Sequence, residues 1–212
     1  MICVVTSSRS DFSLLSHLII SLNRLHEVRV LVTGGHFSKK HGDSVKEVKN
    51  VIADLLPEKL DFIDVYFEEN STTAHVKGLG NNMIACADYF EEFDFDCCVF
   101  LGDRWELLGV VIPAFLSGIP LVHISGGEIT EGVIDDSIRH AFSQFAHAHC
   151  VANEQFARNL SRMGVEDWRI SIVGECGLDT IFGDGNVSMS EVSSEFGLPD
   201  LSGCLLVTFH PE

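Results

Sequence analysis

Short apolar runs that alternate with amphipathic segments constrain the fold of this chain more than any other feature. The runs have the length and composition of β-strands, and they cover residues 2–6, 28–33, 62–67, 97–101, 121–124, 149–152, 170–173 and 204–209. Several of them are apolar on both faces, which is typical of parallel strands that are covered by helices on both sides.

The segments between these runs have the apolar spacing of helices. Residues 11–25 carry leucine and isoleucine at a period close to 3.6, and further helices are predicted over 42–56, 74–93, 104–117, 135–146, 154–163 and 177–182. Alternating strands and helices imply right-handed βαβ units. The sequence therefore predicts an α/β fold with a doubly wound, Rossmann-like parallel sheet over residues 1–183. Residues 184–203, rich in Gly and Ser, are predicted to form a linker region with a possible short helix.

Charge and cysteine usage limit the classes of partner. The formal net charge of −17 argues against nucleic acid and anionic membrane surfaces, which bind clustered Lys and Arg. No window approaches 18 uninterrupted apolar residues, and the N-terminus has no signal-peptide pattern, so we expect no membrane span. The seven cysteines are odd in number and form no C-x-x-C motif, which favours reduced thiols in a cytoplasmic protein over a metal site or disulfides.

Polar residues follow the first and fourth predicted strands, where α/β proteins bind ligands. The first strand is followed by T-S-S-R-S-D, in which Arg9 and the helix N-terminus favour an anion, although Ser10 or Asp11 as a simple helix cap is an equal alternative. The segment lacks G-x-G-x-x-G, so a dinucleotide cofactor is not supported. After the fourth strand, Asp103 follows Gly102 and is either a base or ligand-binding group, or a helix cap.

The segment after the fifth strand holds the densest set of candidate groups. Ser125, Gly126, Gly127 and Glu128 follow a strand that contains His123, and Asp135, Asp136, Arg139 and His140 stand in the next helix. The glycine pair indicates a close backbone approach to a ligand or to another segment. A lone strand histidine is more often a core residue, and one of the two aspartates is explained as a cap. Together, carboxylates beside a histidine can transfer protons in both directions.

These motifs resemble those of the hydrolysing UDP-N-acetylglucosamine 2-epimerases, in the branch that serves sialic acid synthesis. The matching stretches are T-S-S-R-S-D-F-S-L-L, L-G-D-R-W-E, H-I-S-G-G-E-I-T-E-G-V-I-D-D-S-I-R-H-A and F-H-P-E. The third stretch is the most specific because it is long and ordered. The resemblance covers essentially the whole chain but only the first half of the family's usual length.

The resemblance implies a GT-B-type fold of two Rossmann-like domains and a homodimer. Such enzymes eliminate UDP to give 2-acetamidoglucal and then add water to release N-acetylmannosamine, without a metal or redox cofactor. It also implies catalytic roles for Asp103, Glu128, Asp135 and His210, and contacts to the nucleotide-sugar substrate by Arg9, Ser125, Gly126, Gly127, Asp136 and Arg139. Residues 204–212 become the first strand of a second domain, and we expect this chain to be inactive alone.

One departure from the family pattern leaves alternatives open. Ser125 stands where much of the wider family has Glu, so that acid–base role falls either to Glu128 or to Asp103 and Asp135. The substrate is open as well, because relatives that use GDP-N-acetylglucosamine or UDP-diacetylbacillosamine have similar motifs. A GT-B glycosyltransferase acceptor domain and a non-catalytic sugar-nucleotide-binding module are the alternatives from other functional classes.

Overall fold

Seven parallel strands form one sheet in the computed structural model, which describes residues 1–39, 42, 44–53, 55–56, 58–65, 71–182, 187–199 and 203–209. The spatial order is β3-β2-β1-β4-β5-β6-β7. The strands are β1 (Ile2–Thr6), β2 (Val28–Val32), β3 (Leu60–Phe62), β4 (Cys97–Leu101), β5 (Leu121–Ile124), β6 (Ala148–Val151) and β7 (Ile170–Ile172). The order changes direction between β1 and β4, as in a doubly wound sheet.

Helices alternate with these strands along the chain. They are α1 (Arg9–Asn23), α2 (Val45–Ile52), α3 (Thr72–Glu92), α4 (Leu108–Leu116), α5 (Ile134–Phe145), α6 (Glu154–Arg162), α7 (Gly177–Phe182) and α8 (Met189–Phe196). Three of the helices, α3, α4 and α5, share one core with one face of the sheet, whereas α1 and α2 share another with the opposite face. The predicted α/β class and parallel sheet are thus confirmed.

The alternation of side chains along β1 shows how one sequence serves both cores. Val4 packs with Phe12 and Leu15 of α1, whereas the next residue, Val5, packs with Phe100 on the other face. All of these side chains are at most 2% exposed. Because both faces of the strand are buried, an uninterrupted apolar run is what the position requires.

Several predicted boundaries shift in the structure. The third strand begins at Leu60 and ends at Phe62, earlier than the predicted 62–67, of which residues 66 and 67 lie outside the described part. The predicted helix over 104–117 is divided, because the backbone of Arg104 is extended (ψ 131°) and a short 3₁₀ turn, Trp105–Leu107, precedes α4.

The chain divides into two compact units, Met1–Thr180 and Ile181–Glu212. Helix α8 belongs to the second unit, where Ser188 and Glu191 form a capping box and Gly197 ends the helix in the left-handed conformation. Residues 204–209 are described without secondary structure and are exposed, so the predicted strand is not formed there. The assignment of 204–212 to a second domain stays a prediction. Within the described residues, no helix is long and apolar enough to cross a membrane.

Candidate functional site at the carboxyl edge of the sheet

Three segments that follow neighbouring strands border the crevice at the carboxyl edge of the sheet. They are residues 7–11 after β1, 102–106 after β4 and 125–128 after β5. A crevice opens between β1 and β4 because the helices that follow these two strands pack on opposite faces. Nearly all the residues that the sequence singled out lie in these segments or at the start of α5.

The turn after β1 is organised by the buried carboxylate of Asp11. This carboxylate accepts hydrogen bonds from Thr6 Oγ1 (2.7 Å), Ser7 N (2.8 Å) and Ser8 N (2.9 Å). Ser8 is the N-cap of α1, and Asp11 completes the capping box. Of the two predicted caps, Asp11 takes part and Ser10 does not occupy the cap position. The turn is therefore held in place by its own side chains.

Arg9 is exposed at the start of α1, and it borders an open cavity of about 280 Å³. The cavity is also lined by Ser8, Ser10, Gly35, Ser44 and Arg104. The described lining thus carries two guanidinium groups and no carboxylate, beside the positive end of a helix dipole. Such a surface favours an anion, and substrate binding by Arg9 stays a prediction.

A buried histidine connects this turn to the segment after β2. His36 Nε2 lies 2.8 Å from Thr6 Oγ1, and its Nδ1 lies 2.8 Å from Ser44 Oγ. Burial lowers the pKa of His36 to about 4, so the ring is neutral at pH 7. His36 is not among the predicted site residues, because one histidine after an apolar strand has no distinguishing pattern in the sequence.

Asp103 is tied to helix α5 by an ion pair with Arg139. Gly102 precedes it in the left-handed region (φ +80°), which turns the chain sharply after β4. The Arg139 side chain is 7% exposed and that of Asp103 is 22% exposed. The alternative of Asp103 as a helix cap is wrong, because Arg104 occupies the position before the 3₁₀ turn and no side chain caps that turn.

A second ion pair follows directly in the same turn. Arg104 Nη2 lies 2.6 Å from Glu106 Oε1, and Glu106 is 5% exposed. The charge of the half-buried Asp135 also stabilises the Arg104 cation. Neither Arg104 nor Glu106 was among the predicted site residues, although both belong to the quoted L-G-D-R-W-E stretch. Arg104 could have been predicted as a site residue from the sequence, because it directly follows Asp103 at the end of a strand.

The glycine pair after β5 makes its close approach to protein segments. A Cβ atom on Gly127, whose φ is +79°, would lie 2.3 Å from the carbonyl oxygen of Phe156 in α6. A Cβ atom on Gly126 would lie 3.0 Å from His123 Nδ1. Ser125 itself is in the left-handed region (φ +64°). Of the two alternatives for the pair, the described contacts support close packing, while ligand contacts by these three residues stay a prediction.

Glu128 lies half-buried at the end of this turn. Burial raises its pKa above the ordinary value, and the charges of Glu175 and Asp103 add to the effect, while Arg139 opposes it. A carboxyl group in such a setting binds a proton more readily than an exposed one. Glu175 follows β7. Because ligands of α/β sheets bind beyond the carboxyl ends of the strands, Glu175 could also have been predicted as a site residue from the sequence.

Two neighbouring aspartates, Asp135 and Asp136, lie in the first turn of α5. Asp136 Oδ1 accepts a hydrogen bond from Thr130 N (2.7 Å), and Arg139 Nη1 donates to Thr130 Oγ1 (3.0 Å). Asp136 and Arg139 therefore order the loop that precedes the helix. The N-cap position belongs to Val133, which makes no side-chain cap, so neither aspartate is the N-cap, though both lie in the first turn near the positive end of the dipole.

His123 is a core residue, as predicted for a lone histidine in a buried strand. It is fully buried, and its ring stacks on Phe100 with a centroid distance of 4.8 Å. Burial lowers its pKa to about 3. His210, the histidine to which the resemblance gives a catalytic role, lies outside the described residues. No group of three or more metal-ligating side chains is found in the part of the chain that the structure describes.

The chain matches the family model described as UDP-N-acetylglucosamine 2-epimerase over residues 21–212. It is 33% identical to the UDP-N,N'-diacetylbacillosamine 2-epimerase (hydrolyzing) of Legionella pneumophila, over 99% of this chain and 55% of that protein. It is 32% identical to the UDP-N-acetylglucosamine 2-epimerase of Neisseria meningitidis, over 99% of this chain and 54% of that protein. The chain thus spans about half the length of the curated relatives it matches.

The fold is also found in solved structures. The crystal structure of UDP-GlcNAc 2-epimerase from Neisseria meningitidis bound to UDP-GlcNAc matches with a TM-score of 0.70 and 20% identity, covering 85% of this chain and 48% of that one. A galactosyltransferase structure matches with a TM-score of 0.56 and 10% identity, over 82% of this chain and 45% of that one. At these identities the likeness concerns the fold, which is that of one Rossmann-like half of a GT-B-type structure.

Proposed function

We propose that this chain, which belongs to the UDP-N-acetylglucosamine 2-epimerase family, provides the N-terminal half of a hydrolysing epimerase acting on UDP-N-acetylglucosamine. The observation that carries this proposal is the meeting of Asp103, Glu128 and Arg139 at the carboxyl edge of the sheet. Two carboxyl groups in different environments beside a fixed cation suit proton transfer next to a departing anion.

The proposed reaction has two steps. A carboxylate removes the proton at C2 of the sugar, the bond between C1 and the diphosphate oxygen breaks, and its electron pair leaves with UDP, which gives 2-acetamidoglucal. Water then adds its hydroxyl group to C1, and a proton is delivered to C2 from the opposite face, which gives N-acetylmannosamine. Both steps need a group that can bind and release a proton.

Glu128 is the group that best meets this requirement. Its pKa is raised first by burial and then by neighbouring carboxylates, whereas Asp103 is oriented by its ion pair with Arg139. Of the alternatives left open by Ser125, we therefore propose that Glu128 is one of the two acid–base groups and that Asp103 or Asp135 is the group on the opposite face of C2. Arg9 and Arg104 would stabilise the leaving diphosphate from the cavity beside α1. His210 is proposed to complete the site.

A second substrate is supported by a specific observation. The curated relatives at 33% and 30% identity are named for diacetylbacillosamine-linked nucleotides. That sugar carries an acetamido group at C4 where N-acetylglucosamine has a hydroxyl group, and the elimination at C1 and C2 is the same. The two substrates therefore require different sugar pockets, but the proposed chemistry is the same for both.

The test uses a protein that carries this sequence at the full length of its relatives. With UDP-N-acetylglucosamine in D₂O, we expect release of UDP and of N-acetylmannosamine that contains deuterium at C2, as followed by NMR. UDP-diacetylbacillosamine is supplied in a parallel reaction, and the ratio of the two kcat/KM values identifies the substrate. Release of UDP only when a sugar acceptor is present would instead indicate a glycosyltransferase, and binding without turnover would indicate a non-catalytic module.

The role of Glu128 is tested by two substitutions in the same protein. We expect Glu128→Gln to lower kcat about 100-fold or more, because general acid–base groups contribute on that order. Ser125→Ala should have a much smaller effect. The reverse ranking would return the acid–base role to the turn position that Ser125 occupies and would contradict the proposal.

Two further expectations belong to the same proposal. The 212-residue chain alone should show no turnover of UDP-N-acetylglucosamine, and robust activity in that assay would contradict the idea that the site needs a second half. We also propose a homodimer that contacts through helices of the first domain. Light scattering of the full-length protein measures its mass directly, and a monomer at assay concentration would exclude the dimer.

A further inference from the structure

We propose that His123 is a positioning residue that fixes Asp103 and Arg139 relative to each other, an inference that rests on the proposed function of this site. His123 lies in β5, and its described hydrogen bonds go to neither the Asp103 carboxylate nor the Arg139 guanidinium. Its effect is transmitted through the backbone turn after β4 and through helix α5.

The first link is made to the turn that carries Asp103. His123 Nε2 lies 2.8 Å from the carbonyl oxygen of Gly102, the residue directly before Asp103. Gly102 has a φ of +80°, so this turn uses a backbone conformation that few residues adopt. A buried donor on the carbonyl oxygen of Gly102 therefore fixes the direction in which the Asp103 side chain leaves the strand.

The second link is made to the helix that carries Arg139. His123 Nδ1 lies 3.3 Å from Ser143 Oγ, and the same hydroxyl oxygen lies 3.0 Å from the carbonyl oxygen of Arg139. Ser143 is fully buried and stands one helical turn after Arg139. The imidazole thus joins the two elements whose side chains form the ion pair, one through each ring nitrogen.

The partners of the ring determine its tautomer. A carbonyl oxygen can only accept a hydrogen bond, so Nε2 of His123 must carry the hydrogen that Gly102 receives. In a neutral ring Nδ1 can then only accept. The Ser143 hydroxyl has one hydrogen, which goes either to Nδ1 or to the carbonyl oxygen of Arg139, and the link from the ring to α5 requires the first orientation. This arrangement needs an imidazole, because a phenyl ring of similar shape makes neither bond.

Packing contacts border the ring on three sides. It stacks on Phe100 and meets the Phe142 ring edge-on. On the third side, Gly126 approaches so closely that an added Cβ atom would lie 3.0 Å from His123 Nδ1. The turn that leads to Glu128 therefore packs on the same imidazole, so that one side chain supports three segments of the candidate site.

The neighbouring strand provides a matched control. His149 is the register partner of His123 in β6, is 1% exposed, and its ring lies at a centroid distance of 6.1 Å from that of His123. Neither of its ring nitrogens has a hydrogen-bond partner among the described residues. Replacement of His149 thus perturbs the same part of the core without breaking a link to Gly102 or Ser143.

The experiment compares three variants of the full-length enzyme. We expect His123→Phe to lower kcat about 100-fold with little change in KM, because a small displacement of a reacting group has an effect of that order. His123→Gln, whose amide can still donate to the Gly102 carbonyl, should recover most of this loss. His149→Phe should stay close to the parent enzyme. Equal losses in His123→Phe and His149→Phe would overturn the proposal, because they would indicate general damage to the core.

A double-mutant cycle separates positioning from an independent role. If His123 acts through Asp103, then His123→Phe should cause no further loss of kcat in an Asp103→Asn background. A further loss of the full 100-fold would overturn the proposal. Should His123→Phe fail to fold, the test is made on the parent protein, which must show a hydrogen on Nε2 of His123 by ¹⁵N NMR. A hydrogen on Nδ1 alone would contradict the proposed links.

Failure of the proposed function is distinguishable from failure of this inference. If the parent enzyme releases no UDP, the epimerase proposal fails, and the geometry is tested by the guanidinium NMR signals of Arg139 in the 212-residue chain. His123→Phe should shift these signals, and His149→Phe should not. Unchanged Arg139 signals in His123→Phe would overturn the positioning role whatever reaction the site performs.

Discussion

Asp103 and Arg139 form an ion pair that joins the turn after β4 to helix α5 across 36 positions of the chain. Both side chains are largely buried, at 22% and 7% exposure. The Arg139 guanidinium also donates to Thr130 Oγ1 at 3.0 Å, so it is held from two sides. The pair is therefore a structural connection as well as a component of the candidate site.

Removal of the cation from this pair should destabilise the fold. We expect Arg139→Met to lower the free energy of unfolding by about 2–3 kcal/mol, because the Asp103 carboxylate would remain mostly buried without its partner. The measurement is urea denaturation of the 212-residue chain. Arg158→Met is the control, since the Arg158–Glu154 pair on α6 is exposed and should contribute less than about 0.5 kcal/mol. Equal losses in the two variants would show that the pair near Asp103 adds nothing.

The buried capping box of α1 gives a second prediction. Each carboxylate oxygen of Asp11 accepts from a backbone amide, Oδ1 from Ser8 N and Oδ2 from Ser7 N. In Asp11→Asn the amide NH₂ group must therefore face one of these N–H donors, whichever way it is turned. We expect a loss of about 2 kcal/mol in unfolding free energy, in the range for hydrogen bonds to charged groups.

The capping box of α8 is the matched control for Asp11→Asn. In α8, Glu191 Oε2 alone accepts from Ser188 N and Ser188 Oγ, and the site is exposed. A glutamine can keep that acceptor and turn its NH₂ group to solvent. Glu191→Gln should therefore leave the urea midpoint almost unchanged. A comparable shift in both variants would refute the account of the Asp11 site.

The sequence was sufficient to predict where the candidate site lies but not how its members pair. Apolar runs predict parallel strands, and the carboxyl ends of parallel strands meet at one edge, so Asp103 and Glu128 were expected near each other. The pairing of Asp103 with Arg139 depends on where α5 packs, and no local pattern encodes that position. The same holds for His123, whose partners Gly102 and Ser143 are 21 and 20 positions away.

The sequence also could not decide between two roles that the same residue type can have at the start of a helix. Asp11, Asp103 and Asp135 each stand before or within the first turn of a predicted helix, where a carboxylate can either cap the helix or contact a ligand. The structure assigns capping to Asp11 and an ion pair to Asp103. Only tertiary contacts distinguish these cases, because the residue type and the spacing are alike.

Three histidines that are buried in the described part of the chain predict a loss of stability in mild acid. Burial lowers the pKa of His36 and His149 to about 4 and that of His123 to about 3, against an unfolded value of about 6.5. Between pH 6.5 and about 4 the unfolded chain binds protons that the folded chain does not. Unfolding free energy should therefore be highest above pH 6.5 and should fall as the pH decreases through this window.

The measurement is the slope of unfolding free energy against pH between 5 and 6.5. In the lower half of this range we expect the protein to take up about three protons when it unfolds, one on each of the three histidines. His149→Phe should reduce the uptake by about one proton and flatten the curve. An unchanged slope in this variant would mean that His149 is charged in the folded protein, contrary to the effect of its burial.

Gly127 provides a prediction that separates backbone strain from steric contact. Its φ is +79°, and an added Cβ atom would lie 2.3 Å from the backbone carbonyl oxygen of Phe156. Gly118 has a similar φ of +74°, but nothing lies within 4 Å of the position that a Cβ atom would take there. We expect Gly118→Ala to cost about 1 kcal/mol of unfolding free energy, which is the strain alone. Gly127→Ala should cost about 3 kcal/mol, because α6 must also move away. Equal losses in urea denaturation would show that the turn before Glu128 can shift freely against α6.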